Sequence, residues 1–295
     1  MPALLYAAAT VLAWGTWLAP AQNIPFKNQQ IRTFYVGVAN LVLATGVTLL
    51  VGGFGELTWD IFWPPFAGGL IWAVSGWCAF TATRHLGMAR AQGLWAPLNI
   101  IVSILWGALL FQEFPAPGAG TQALFVLAIV VIIAGIVLII TARSETAARR
   151  NRREITIGLL GALGAGILWG TYFIPIKLSQ ANLWIASWPL AVGIFAGSAG
   201  LAALARQSPR LDRPGYYGRA LFSGAIWGVG NYAMLLLVGE LGAGRGFTIA
   251  QLGIVVNALI GIYVLKDPRP RTRAATLTLI GCVLAMAGSI LLGNL

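Results

Sequence analysis

Two phrases decide the fold: WGTWLAP, running from Trp14 to Pro20, and WGTYFIP, running from Trp169 to Pro175. They stand 155 positions apart, each inside a long apolar stretch. The correspondence extends outward from them. At the same offset GGLIWAVSG (Gly68–Gly76) meets SGAIWGVGN (Ser223–Asn231), which pairs Trp72 with Trp227, and Arg90 meets Arg245. After one gap APLNIIVS (Ala96–Ser103) meets AQLGIVVN (Ala250–Asn257), and Glu113 meets Asp267. One unit is written twice.

Composition gives the solvent. Apolar residues make up 58% of the chain and charged ones 9%, against roughly 45–50% and 25% in a soluble domain. So few charges cannot cover a water-facing surface. The apolar residues gather into runs near 20 residues long, the length at which a helix crosses roughly 30 Å of hydrocarbon. Ten such runs are expected as transmembrane helices: Ala3–Gln22, Thr33–Val51, Pro64–Thr83, Ala91–Phe111, Thr121–Thr141, Ile155–Ile176, Leu183–Ala205, Ala220–Gly239, Gly246–Leu265 and Ala274–Leu292. The fold class is an all-α integral membrane protein. Its organisation is a first five-helix repeat over residues 1–143, a basic cytoplasmic linker over 144–154 and a second five-helix repeat over 155–295. Five is odd, so the second copy enters the membrane in the opposite sense, the inverted architecture of many secondary transporters. Ala19-Pro20-Ala21 resembles a signal-peptide cleavage site, but no Lys or Arg precedes the first apolar run, and the phrase recurs deep in the chain.

Charge gives the orientation. All of the 19 Lys and Arg except Lys177 and Arg245 fall in loops after odd-numbered spans. By the positive-inside rule that face is cytoplasmic, and both termini lie outside, in a bacterial-type inner membrane. The net charge of +11 is scattered along short membrane-edge loops, which suits anionic lipid better than nucleic acid. Cys78 and Cys282 have no metal-ligand spacing, and the single histidine, His85, sits beside Arg84 at a span end. No metal site, cofactor or enzyme active site is expected.

Within the spans, amides and aromatic rings are the residues able to handle a neutral polyhydroxyl solute. Amides pair with hydroxyls, and rings cover C–H faces. The amides and rings within the spans are Asn40, Gln92, Asn99, Asn231, Gln251 and Asn257 with Trp14, Trp72, Trp77, Trp95, Trp169, Tyr172 and Trp227. The candidates chosen from them are all but Trp77 and Trp95, tryptophans near span ends being more often interfacial anchors. The competing role for each amide is a hydrogen bond that joins two helices. No acid lies deep in a span, so proton coupling has only Glu113 and Asp267 as weak candidates, whose other role is to pair with nearby bases. Arg90 and Arg245 are the basic pair kept by the doubling, and are expected to shape gates at opposite mouths. Pro20 and Pro175 are expected to bend or stop their helices.

These residues resemble the glucose/ribose porter group of bacterial sugar-uptake proteins, within the drug/metabolite transporter superfamily. The likeness rests on the tryptophan-glycine phrase, on GLIWAVSG and GAIWGVGN, on LGMARAQG between spans three and four, and on FTIAQLGIVV with the following KDPRPRTR. It runs nearly end to end. The resemblance implies ten helices, an inverted five-plus-five arrangement and uptake of a neutral sugar, with or without a proton. The chain departs from the group's pattern at Gly76 and Trp77, where a Gln is usual, and at Pro97, where Ser or Thr is usual. The expected function is a secondary transporter of a neutral sugar or polyol working by alternating access, in contact with membrane lipid. The alternative is an exporter of amino acids or other metabolites.

Overall fold

A computed structural model describes residues 2–112, 118–142 and 151–294. Among these, ten helical spans are long and apolar enough to cross a membrane, and no strand occurs. In chain order the helices are α1 (Pro2–Thr16), α2 (Gln29–Leu50), α3 (Trp59–Leu86), α4 (Met88–Phe111), α5 (Ala119–Thr141), α6 (Arg152–Trp169), α7 (Ile174–Leu178), α8 (Leu183–Leu204), α9 (Pro214–Leu241), α10 (Ala243–Ala250), α11 (Gly253–Leu259) and α12 (Arg273–Gly293). Span six is made of two helices, and span nine of two α-helices followed by a π-helical stretch, Ile260–Val264. Large apolar side chains such as Leu109, Val126, Leu160 and Phe222 point outward, where lipid rather than water is the compatible solvent. Glu113 and most of the expected linker lie outside the described residues.

The local starts and stops have identifiable causes. Asn28 caps α2 by accepting the Ile31 N–H at 2.9 Å, so the helix begins four residues before the expected Thr33. A reciprocal box, Asn151 with Glu154, starts α6. The corner between α3 and α4 is Gly87 (φ 85°, ψ 160°), and that between α9 and α10 is Gly242 (φ 86°, ψ 166°). Such dihedrals belong essentially to glycine alone. The two corners are related by the same 155-residue offset as the opening phrases, so the doubling is repeated in backbone conformation.

Both helices break within the doubled phrase, before its proline is reached, and each proline opens the short helical segment that follows. α1 ends at Thr16 and passes through a turn into a short 3₁₀ segment, Ala19–Ala21, that contains Pro20; α6 ends at Trp169, and Pro175 sits in the first turn of α7. The glycine of each phrase permits a close crossing. A Cβ on Gly15 would lie 2.5 Å from Val256 Cβ and 3.0 Å from Gly253 O, and one on Gly170 would lie 2.7 Å from Val102 Cβ and 2.9 Å from Asn99 O. The break after the first phrase thus crosses α11, and the break after the second crosses α4.

The packing repeats this exchange. α1 lies on α9 as α6 lies on α3, α8 lies on α3 as α2 lies on α9, and α4 lies on α6 as α10 and α11 lie on α1. The pairs α2 with α8 and α5 with α12 join one half to the other directly.

Candidate functional site

A helix that stops inside hydrocarbon leaves carbonyls that must find donors within the protein. At the end of α1 five donors come from four other helices. Gln92 Nε2 donates to Trp14 O and Asn257 Nδ2 to Gly15 O, both at 3.4 Å. Ser223 Oγ donates to Trp17 O, Arg32 Nη2 to Leu18 O at 3.3 Å, and Arg219 Nε to Pro20 O at 2.8 Å. Side chains from α2, α4, α9 and α11 are thereby drawn to one point.

Around this point the aromatic rings close into a cage. Four doubled positions contribute both copies to its lining: Trp14 and Trp169, Trp17 and Tyr172, Trp72 and Trp227, Gln92 and Phe247. Trp95, Asn99 and Gln251 complete it. The rings touch in sequence. Trp14 stacks on Trp227 at 6.4 Å and 12°, Trp227 meets Trp72 at 4.4 Å, Trp72 meets Trp169 at 5.9 Å, and Trp169 meets Trp95 edge-on at 5.4 Å. Gly76, one of the departures from the group's pattern, leaves room for Trp72, whose ring carbon would lie 3.0 Å from a Cβ there. Trp77, the other, is 36% exposed on the outer surface.

About 320 Å³ of empty space lies among these groups, but the part a solvent molecule can occupy is about that of one water. No lining residue is charged. Three buried polar atoms of the lining have no partner: Trp72 Nε1, Trp169 Nε1 and Gln92 Oε1. Two donors and one acceptor thus stand without a protein partner, and groups of this kind cost roughly 1–3 kcal/mol each when nothing pairs with them. The arrangement suits a solute that offers hydroxyls and apolar faces without charge.

The amides expected at the site divide into two groups. Gln92, Asn99 and Gln251 line the cage. With its nitrogen donating, the Asn99 amide reaches Gly166 O at 2.6 Å and Trp95 O and Ala165 O at 3.2 Å. Asn40, Asn231 and Asn257 lie outside the lining. Asn40 donates to Val36 O and Gly224 O, tying α2 to α9. Asn231 accepts the Tyr172 hydroxyl at 2.7 Å and fixes that ring, and Asn257 holds the break in α1. Their observed bonds are those of helix joints. Arg90 is buried and donates to Ile139 O and Ile140 O near the end of α5, whereas Arg245 is exposed.

Beside the cage lies a polar vestibule of about 340 Å³, lined by Gln22, Phe26, Gln29, Thr83, Arg84 and Asp267 among others. Its walls come from the segment after α1, the end of α3 and the segment after the ninth span, the face richest in basic residues. Arg32 also lines it and is 4% exposed. Asp267 therefore belongs to the vestibule and not to the cage.

Sequence reasoning missed Trp17 and Phe247 as lining residues and Arg32 as a buried cation. The doubling contained the first two, as the counterparts of Tyr172 and Gln92. Arg32 was hidden by the late expected start of the second span.

Comparison with known proteins agrees with this architecture. The chain is 26% identical to the glucose uptake protein GlcU of Bacillus subtilis, over 80% of each chain. It is 27% identical to YxfA of Lactococcus lactis, a protein named for sugar uptake, over 99% of this chain and 98% of the other. A solved crystal structure at 18% identity shares the fold with a TM-score of 0.64, covering 98% of this chain and 95% of that one. The model of the family described as "Sugar transport protein" matches residues 5–295, and the chain, a multi-pass helical membrane protein, belongs to that family.

Proposed function

We propose that the protein is a secondary carrier that moves a neutral sugar or polyol across the cytoplasmic membrane by alternating access. The observation that carries this reading is the uncharged cage, in which unpaired donors and an acceptor stand among tryptophan faces. A pyranose presents hydroxyls at its rim and C–H groups on its faces, and meets both needs at once. Family membership and the names of the relatives support the same solute class. The cage as it stands is too small for a sugar, so it corresponds to a closed conformation whose rings must separate to load. The swapped packing of the two halves supports an inverted relation between them, with the cage as the shared site.

The lining argues against the amino-acid exporter. A zwitterion would bring two charges into a site with no charged residue to meet them, a costly desolvation. Asp267 is the one carboxylate of the vestibule lining, and is where proton coupling would act if the carrier is coupled. Purified protein in liposomes, given labelled monosaccharides, polyols and amino acids with and without a proton gradient, tests the reading. Saturable sugar uptake is expected. Uptake of amino acids alone would replace this reading with the exporter, and a gradient that leaves the sugar rate unchanged would remove the coupling role.

A further inference from the structure

Arg32 is a buried cation in the vestibule wall. No carboxylate reaches it among the described residues. Nη1 donates to Gln22 Oε1 at 3.2 Å, Nη2 donates to Leu18 O at 3.3 Å, and Nε has no partner. Its guanidinium carbon lies 4.4 Å from the centroid of Phe80 and 5.9 Å from that of Phe26. Phe80 is fully buried and meets Trp17 at 5.5 Å, and Trp17 in turn meets Trp169 at 6.0 Å. Vestibule, Arg32, Phe80, Trp17 and cage thus form one continuous series of contacts. Arg32 belongs to the vestibule wall, Trp17 to the cage wall, and the Phe80 ring lies between them.

We propose that Arg32 is the latch of the barrier between vestibule and cage, holding the broken end of α1 shut through Leu18 and Gln22. This rests on the carrier reading only in that the barrier must open in each transport cycle. The physics favours a latch over a fixed strut. An unneutralised guanidinium loses hydration when buried, and two hydrogen bonds with two ring contacts offset that loss only in part. A swing of the long side chain into the vestibule restores water around the charge, frees the Leu18 carbonyl and lets Trp17 move with the 3₁₀ segment. Closed and open states are therefore close in free energy, the condition a solute needs in order to tip the balance. The counterpart of Arg32 in the second half is Ser187, which donates to Leu183 O instead. The latch belongs to one side only.

The test reads access directly. In a background carrying Cys78→Ala and Cys282→Ala, Gln92→Cys places a thiol in the cage, and a small charged methanethiosulfonate reagent is applied to right-side-out and inside-out vesicles. Labelling in the otherwise unaltered background is expected to be slow. Addition of Arg32→Ala should raise the rate about tenfold from the vestibule face and leave the opposite face unchanged. Gln22→Ala, at a half-buried position that removes one latch partner, should raise it by a smaller factor on the same face. Unchanged labelling in both variants would overturn the latch, as would an equal rise from both faces, which is general loosening. The readout needs no sugar. If the solute is not a sugar, the one-sided rise persists and sugars simply fail to slow it, so the two failures are distinguishable.

Discussion

Gln92 and Asn40 are both buried amides, yet they are expected to behave differently when removed. Gln92 gives its nitrogen to Trp14 O and keeps an unpaired oxygen within the cage lining. Gln92→Leu keeps the bulk and removes the acceptor, so the apparent affinity for sugar should fall by about tenfold, the worth of one buried hydrogen bond. Equilibrium binding followed by tryptophan fluorescence reads this, since seven of the lining residues are Trp or Tyr. Asn40 uses its nitrogen on Val36 O and Gly224 O and is not part of the lining. Asn40→Ala should leave affinity within about twofold while lowering stability in detergent by roughly 1–3 kcal/mol. A large affinity loss at Asn40 with none at Gln92 would place the site elsewhere. The residue types were legible in the sequence, but the division between lining and joint was not. It depends on which neighbour offers a carbonyl, and composition does not state that.

At the scale of elements, the doubled phrase has separable parts. Its tryptophan lines the cage, its glycine permits a crossing, and its proline lies in the short helical segment after the break. A methyl group at Gly15 would enter the space of Val256 and the Gly253 carbonyl, and one at Gly170 that of Val102 and the Asn99 carbonyl. Gly15→Ala and Gly170→Ala should each destabilise the protein by about 1–3 kcal/mol through overpacking, whereas Gly46→Ala, with open space around it, should not. Thermal unfolding in detergent compares the three. The prolines and the repeat of the phrase were visible as pattern, so the two breaks and the partnership of Trp14 with Trp169 could be anticipated. The crossings could not, because a glycine's need for space is set by a helix more than 200 residues away in one case. The interruption of the ninth span at Gln251 and Leu252 has no proline to announce it, while α4 continues through Pro97. Local propensity was overridden there by the neighbours that hold each segment.

For the whole molecule, the distribution of charge decides which way the latch faces. The vestibule opens among the segments that follow the first, third and ninth spans, and those segments contain Arg84, Lys266, Arg269 and Arg271. A bilayer with negative lipid and negative potential on its inner side retains such residues there. The vestibule should therefore face the cytoplasm, and both termini the exterior. Single cysteines at Leu4, exposed near the N-terminus, and at Arg269, beside the vestibule, probe this in the cysteine-free background. In intact cells a membrane-impermeant maleimide should label Leu4→Cys and spare Arg269→Cys, and inside-out vesicles should reverse the result. Because each half is expected to cross an odd number of times, a miscounted span would put the termini on opposite sides, and two labelled or two silent positions in intact cells would reveal it. The reverse labelling of both would keep the fold and turn the molecule over. Arg32 would then guard the outer mouth, and the first step of uptake would be release of the latch rather than its last.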